Sequence, residues 1–125
     1  MSRNNINQVT LTGRLTRTPE VRCTPSGLYV CDFIIAINRY DSNGNQHTVY
    51  PRCTAWHKTA EFIGHPENGL QTGDLVLVTG RLADDNFETI KGDEQSKTKG
   101  RIKVDQCSIE LLLRAQKKTD EKLSE

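Results

Sequence analysis

The sequence has little of what most functional assignments rest on. No apolar run approaches the roughly 18 residues of a membrane-spanning helix. The amino terminus, M-S-R-N-N-I-N, lacks the apolar stretch of a secretory signal, so the chain is expected in the cytoplasm. Net charge is only +1, so bulk charge points to no class of partner. The four cysteines, Cys23, Cys31, Cys53 and Cys107, form no C-x-x-C pair and have no histidine at zinc-finger spacing. That argues for reduced, mostly buried thiols and against a metal site. His47, His57 and His65 fall in separate elements, with no Ser or Cys nucleophile beside them in the sequence. There is no phosphate-binding Gly loop and no paired-carboxylate motif. Asp84-Asp85 reads as an exposed turn. The expectation is a protein without catalytic residues, metal or cofactor. Internal repeats and low-complexity segments are absent as well.

What remains is β-structure. A chain of 125 residues, 34% hydrophobic and with mean hydropathy −0.63, suits one small, heavily solvated domain. In residues 6–15, Val9, Leu11 and Leu15 alternate with Thr10, Thr12 and Arg14, as in a strand with one wet face. Gly13 interrupts the alternation and suggests a bulge or bend. Thr18-Pro19 and Thr24-Pro25-Ser26-Gly27 are turn sequences, with a short extension at 21–24 between them. A second strand spans 29–38 and is apolar on both faces near its end, so one face meets a core and the other a second subunit or a ligand. Residues 40–46 read as a hairpin loop with Asn43-Gly44 at its tip, and 47–56 as a third strand. The run 57–63 has a short helical pattern, with Ala60, Ile63 and Phe62 as candidates to face inward. Residues 73–82 and 101–112 read as the fourth and fifth strands, the fifth with a slip near Gln106 that suggests a bulge. The polar segment 83–100 between them reads as an extended hairpin. The domain is placed at 1–112, with a charged, flexible tail at 113–125. Five strands with a short helix between the third and fourth is the order of the OB-fold, an all-β barrel.

The stretch G-R-L-T-R-T-P-E-V-R-C-T-P-S-G, followed by V-C-D-F-I-I-A-I-N-R, resembles the amino-terminal signature of bacterial-type single-stranded DNA-binding proteins. The segment H-T-V-Y-P-R-C-T-A-W-H-K-T-A-E is similar to that family's third strand and helix. The resemblance implies sequence-independent binding and protection of single-stranded DNA in replication, recombination or repair. It also implies nucleoid association, a homotetramer whose dimers pair through the strand from Ile6 to Leu15, and contacts with replication or repair proteins.

Binding a single strand without regard to sequence takes aromatic faces for bases and cations for phosphates. The aromatics are three Phe, three Tyr and one Trp. Tyr50 and Trp56 are six residues apart and share a strand face with Arg52 and Thr54. The resemblance assigns stacking to Tyr40, Tyr50, Trp56 and Phe87, and matches Arg52 and Lys58 to phosphate-contacting positions. Arg3, Arg14, Arg22 and Arg39 belong to an amino-terminal arginine set that is a further candidate for the phosphate track. Phe33 and Phe62 read as core. Two departures from the family stand out. Its fourth-strand arm is typically basic, whereas here it reads A-D-D-N-F, and Asp84 and Asp85 are expected to weaken binding there. The last residues, K-K-T-D-E-K-L-S-E, lack the family's acidic tip, so recruitment of partners by that route is not expected. The alternative reading is an OB-fold accessory module of the primosomal type that works through protein contacts and binds nucleic acid weakly. An RNA-binding OB protein is a third reading, because stacking does not test for the 2′-OH.

Overall fold

The structure is a computed structural model that describes residues 4–85, 88–91, 94–97 and 101–116. In chain order its elements are β1 (Val9–Leu15), β2 (Glu20–Cys23), β3 (Tyr29–Tyr40), β4 (Gln46–Val49), β5 (Arg52–Trp56), α1 (His57–Ile63), β6 (Leu75–Asp84), β7 (Glu88–Lys91), β8 (Glu94–Lys97) and β9 (Ile102–Leu113). The main sheet runs β1-β6-β9-β5-β3-β2, and a β1–β3 pairing closes it into a barrel. β5 and β9 are parallel, and the other pairings are antiparallel. With α1 between β5 and β6, this is the expected OB-fold. β7 and β8 form a separate two-stranded arm. Among the described residues no helix is long and apolar enough to cross a membrane.

The core follows from alternation. Leu15, Cys31, Phe33, Ile35, Cys53, Val76 and Val78 point into the barrel, and Ala60 and Ile63 of α1 pack onto the same cluster. Gly13 does not make a bulge, since β1 runs in register against β6 through it. It permits a close approach instead. A Cβ there would sit 2.7 Å from the carbonyl oxygen of Ala36, where β1 swings over to pair with β3 and close the barrel.

The slip near Gln106 is a bulge. The β6–β9 register shifts between Thr79 and Arg81, opposite Gln106, whose φ is +53°. Strict alternation would send Val104 and Cys107 to opposite faces. The extra residue lets both point inward, where they are buried. Gly80 makes room for this: a Cβ there would meet the Asp105 carbonyl oxygen and a Val104 methyl, each at 2.7 Å.

Three expectations are corrected. The third strand is two, broken at Tyr50-Pro51, because proline cannot donate to a ladder. Phe62 is 40% exposed rather than core. At 3.6 residues per turn it lies about 200° around α1 from the buried Ala60, so the helix carries it outward. β9 continues through Leu113, and the next residues are docked: Arg114 pairs with the buried Asp74 at 3.1 Å, and the Ala115 N–H donates to the same carboxylate. The boundary placed between 112 and 113 therefore falls inside a strand.

Candidate nucleic-acid interface

The ladder of β3 with β4 and β5 decides which side chains stand together. Tyr40 pairs with Gln46 and Asn38 with Thr48, while Ile34 pairs with Arg52, Asp32 with Thr54 and Val30 with Trp56. In each pair the residue numbers add to the same total, so the register survives the break at Pro51. The Pro51 carbonyl also accepts the N–H of Ile35 at 3.4 Å, which keeps the strands aligned across the gap. Successive residues alternate faces, so Tyr50 lies on the side of Arg52, Thr54 and Trp56, and Tyr40 lies there too. Side-chain bonds agree with this face. The Thr48 hydroxyl donates to Asn38 Oδ1 at 2.7 Å, and Tyr40 OH reaches Gln46 Oε1 at 3.3 Å. Tyr40 and Tyr50 are 68% and 62% exposed. At about 3.3 Å per residue, Tyr50 and Trp56 stand about 20 Å apart along the strand.

Trp56 is half-buried at the end of β5, and its indole N–H donates to Asp105 Oδ1 at 3.0 Å. That bond fixes the ring's orientation. The chain then turns straight into α1 through His57, which has φ +56°. Thr54 is 2% exposed, so it is no surface contact. Its hydroxyl donates to Asp32 Oδ1 at 2.8 Å, while Arg22 holds Asp32 Oδ2 at 2.8 Å. Burial works against ionisation of Asp32. The hydrogen bonds from Arg22 and Thr54 and the charges of Arg22 and Lys103 outweigh it and hold the carboxyl below its ordinary range.

Beside this face an open groove of about 300 Å³ is lined by Arg17, Arg22 and Arg52 together with Thr18, Pro19, Glu20, Asp32 and Phe33. Arg52 Nε stands 3.5 Å from Asp85 Oδ2. Two of the groove's three arginines are therefore already faced by carboxylates.

The ladder brings together Tyr40, Tyr50, Trp56 and Arg52, and Arg22 borders them through its pairing with Val30. Arg14 stands opposite Ala36, but its guanidinium donates to the Gly73 carbonyl oxygen at 2.9 Å. Arg39 pairs with His47 on the other face of the hairpin, so it does not join the aromatic row. His47 Nε2 is 2.9 Å from Asp41 Oδ2, and Asp41 Oδ1 accepts the N–H groups of Asn43 and Asn45, which locks the hairpin tip. That contact with His47, followed by the backbone donors, keeps the Asp41 carboxyl below its usual range. Lys58 is exposed on α1, the second residue after Trp56. Arg3 and Phe87 lie outside the described residues.

Asp32 and Asp105 were not legible as site residues, because their partners stand far off in the chain. Trp56 and Asp105 are 49 residues apart. The signal that came closest is the slip near Gln106, since the Gln106 N–H also donates to Asp105 Oδ1 at 2.8 Å.

Residues 6–111 match the model of the single-strand binding protein family. The chain belongs to this family. It is 42% identical over 85 residues to the single-stranded DNA-binding protein of Oceanobacillus iheyensis, covering 66% of this chain and 51% of that one. It is 39% identical over 89 residues to single-stranded DNA-binding protein A of Bacillus subtilis, with 70% and 51% covered. Against single-stranded DNA-binding protein 1 of Streptococcus pyogenes it is 37% identical over 89 residues, with 70% and 66% covered. The matched part thus spans about half the length of the first two relatives. Family membership covers β1 through most of β9, and so includes every element that carries the aromatic row.

Proposed function

We propose that the chain binds single-stranded DNA without sequence preference, laying the strand along the outer face of β3, β4 and β5. Bases stack on Tyr40, Tyr50 and Trp56, and Phe87, which lies outside the described residues, is a fourth stacking candidate by the family resemblance alone. Arg52, Arg22 and Lys58 neutralise phosphates, with Arg14 and Arg39 as outlying cations and Arg3, outside the described residues, as a further candidate. The observation that carries the reading is the unbroken register across Pro51, which gives three aromatics and Arg52 one common side. The names of the relatives support the same reading. Such binding shields single strands in replication, recombination or repair, and involves no catalytic step. Assembly into a homotetramer, with dimers pairing through β1, is supported by an edge that is open among the described residues: there Val9 to Gly13 pair with β6 on one side only, and β3 engages just Arg14 and Leu15 on the other.

A single tryptophan makes the test direct. Oligo-dT is titrated against Trp56 fluorescence at low and moderate salt. The reading expects strong quenching, with affinity that falls steeply as salt rises. A flat signal, with no retardation of labelled oligo-dT on a gel, would sink it.

The accessory-module reading has one specific observation in its favour, the carboxylates Asp32 and Asp85 standing against Arg22 and Arg52. It expects weak quenching with little salt dependence. Oligo-rU in the same titration separates DNA from RNA preference.

A further inference from the structure

We propose that Asp85 is an internal counter-ion for Arg52, competing with the strand's phosphates and so setting how tightly this face grips DNA. The inference rests on the reading of the β3–β4–β5 face as the strand-binding surface. Arg52 stands on that face, opposite Ile34, with 45% of its side chain exposed. Asp85 is different: its side chain is 16% exposed, and its Oδ2 is shut off from solvent. That oxygen has no hydrogen-bond partner among the described residues and faces Arg52 Nε at 3.5 Å, too far for a good hydrogen bond. The Asp85 N–H donates to the Arg101 carbonyl oxygen at 3.0 Å, which pins the residue where β6 ends and β9 begins. A phosphate that takes Arg52 leaves a desolvated carboxylate oxygen behind, uncompensated, unless Asp85 turns out to water.

The neighbouring pair lacks this property. Arg22 and Asp32 make a true hydrogen bond at 2.8 Å, and the other oxygen of Asp32 keeps Thr54 at 2.8 Å. When Arg22 turns to a phosphate, Asp32 still has a donor. When Arg52 does, Asp85 Oδ2 has none among the described residues. Arg52 therefore contributes less than a full cation to the phosphate track, and the salt dependence of binding records the deficit.

The test measures oligo-dT affinity against salt for the full chain and its variants. Asp85→Asn should tighten binding about two- to five-fold at low salt, the range of one partly exposed ion pair. It should also steepen the slope of log K against log salt by about 0.7, the increment for one more neutralised phosphate on a single strand. Asp85→Ser, which removes the charge with a smaller side chain, should do the same. Asp84→Asn removes an equal charge from an exposed neighbour and should shift the slope less. Arg52→Gln should weaken the Asp85→Asn protein by a larger factor than it weakens the unaltered chain. The inference is overturned if Asp85→Asn and Asp85→Ser keep the original affinity and slope. It is equally overturned if Asp84→Asn matches them, or if Arg52→Gln costs the same factor in both backgrounds. No binding by the unaltered chain overturns the strand-binding reading and this inference together. Ordinary quenching and salt dependence with no response at Asp85 overturns this one alone.

Discussion

The two long ladders of the barrel treat register in opposite ways. Along β3, one register holds from Val30 to Tyr40 although a proline interrupts the facing strand. Along β6 and β9 it shifts twice, between Leu75 and Val76 and between Thr79 and Arg81. The unbroken ladder repeats one side chain in two on the same face, which is how Tyr40, Tyr50, Arg52 and Trp56 come to stand together. The shifted ladder gives up the repeat to fill the core, turning Val104 and Cys107 inward at once and leaving Asp105 to hold the Trp56 indole. One ladder displays the row, and the other fixes the end of it.

The sharpest way to break this contrast is to remove the room that the bulge needs. Gly80→Ala drives a methyl into the Asp105 carbonyl and Val104 contacts at 2.7 Å. It should cost about 1–3 kcal/mol of stability, read from a urea unfolding curve. Because Asp105 moves with that segment, the native Trp56 emission should shift as well.

The row itself is tested next. Trp56→Ala and Tyr50→Ala should each weaken oligo-dT binding by about 1–3 kcal/mol. Tyr29→Ala and Phe62→Ala remove aromatics that are 43% and 40% exposed but stand off the face, and should leave affinity within about 0.5 kcal/mol. Fluorescence anisotropy of a labelled oligonucleotide reads all four. Equal losses from Tyr29→Ala would mean that exposure alone, and not the ladder, selects the contacts.

A pH series probes what lies under the row. The Asp32 carboxyl is held below its ordinary range in the folded chain. Its ionised form therefore stabilises the fold above the unfolded value near pH 4, and that contribution is lost as pH falls through the lower folded value. Between pH 5 and pH 3 the parent chain should lose more thermal stability than Asp32→Asn.

The smallest expected effect is chemical. Cys31, Cys53 and Cys107 are buried and Cys23 is exposed. Burial first, then the Asp32 charge, pushes the Cys31 thiol up to about 11 against the opposing Arg22, and Cys53 is raised by its hydrogen bond with Cys107 and then by burial. The same contact with Cys53 shifts Cys107 the other way, so there it is burial that keeps the reagent out; neutral or buried thiols react slowly. Iodoacetamide should therefore modify one cysteine in the native chain, found at Cys23 by mass spectrometry, and four after denaturation.

What the sequence disclosed was local. Helical spacing in H-K-T-A-E-F-I placed α1 at its observed bounds, and strand alternation placed β1, β3, β6 and β9 to within a few residues. The same alternation puts Tyr50, Arg52 and Trp56 on one face, and the register holds across the proline that splits the expected third strand. Thr54 shares that face, yet Asp32, 22 residues earlier, holds its hydroxyl in a buried site. The pairs that decide the electrostatics, Arg52 with Asp85 and Trp56 with Asp105, join residues far apart in the chain. Periodicity carries no information about such meetings, because only barrel closure brings them about. The sequence marks Asp85 as a residue that weakens binding, but that it does so facing Arg52 is visible only in three dimensions.

Photocrosslinking tests the central claim most directly. Oligo-dT carrying 5-iodouracil is bound to the chain and irradiated, and the modified peptides are mapped. The account predicts adducts at Tyr40, Tyr50 and Trp56 and none at Tyr29 or Phe62. Adducts at Tyr29 or Phe62 with none at Tyr50 and Trp56 would contradict it.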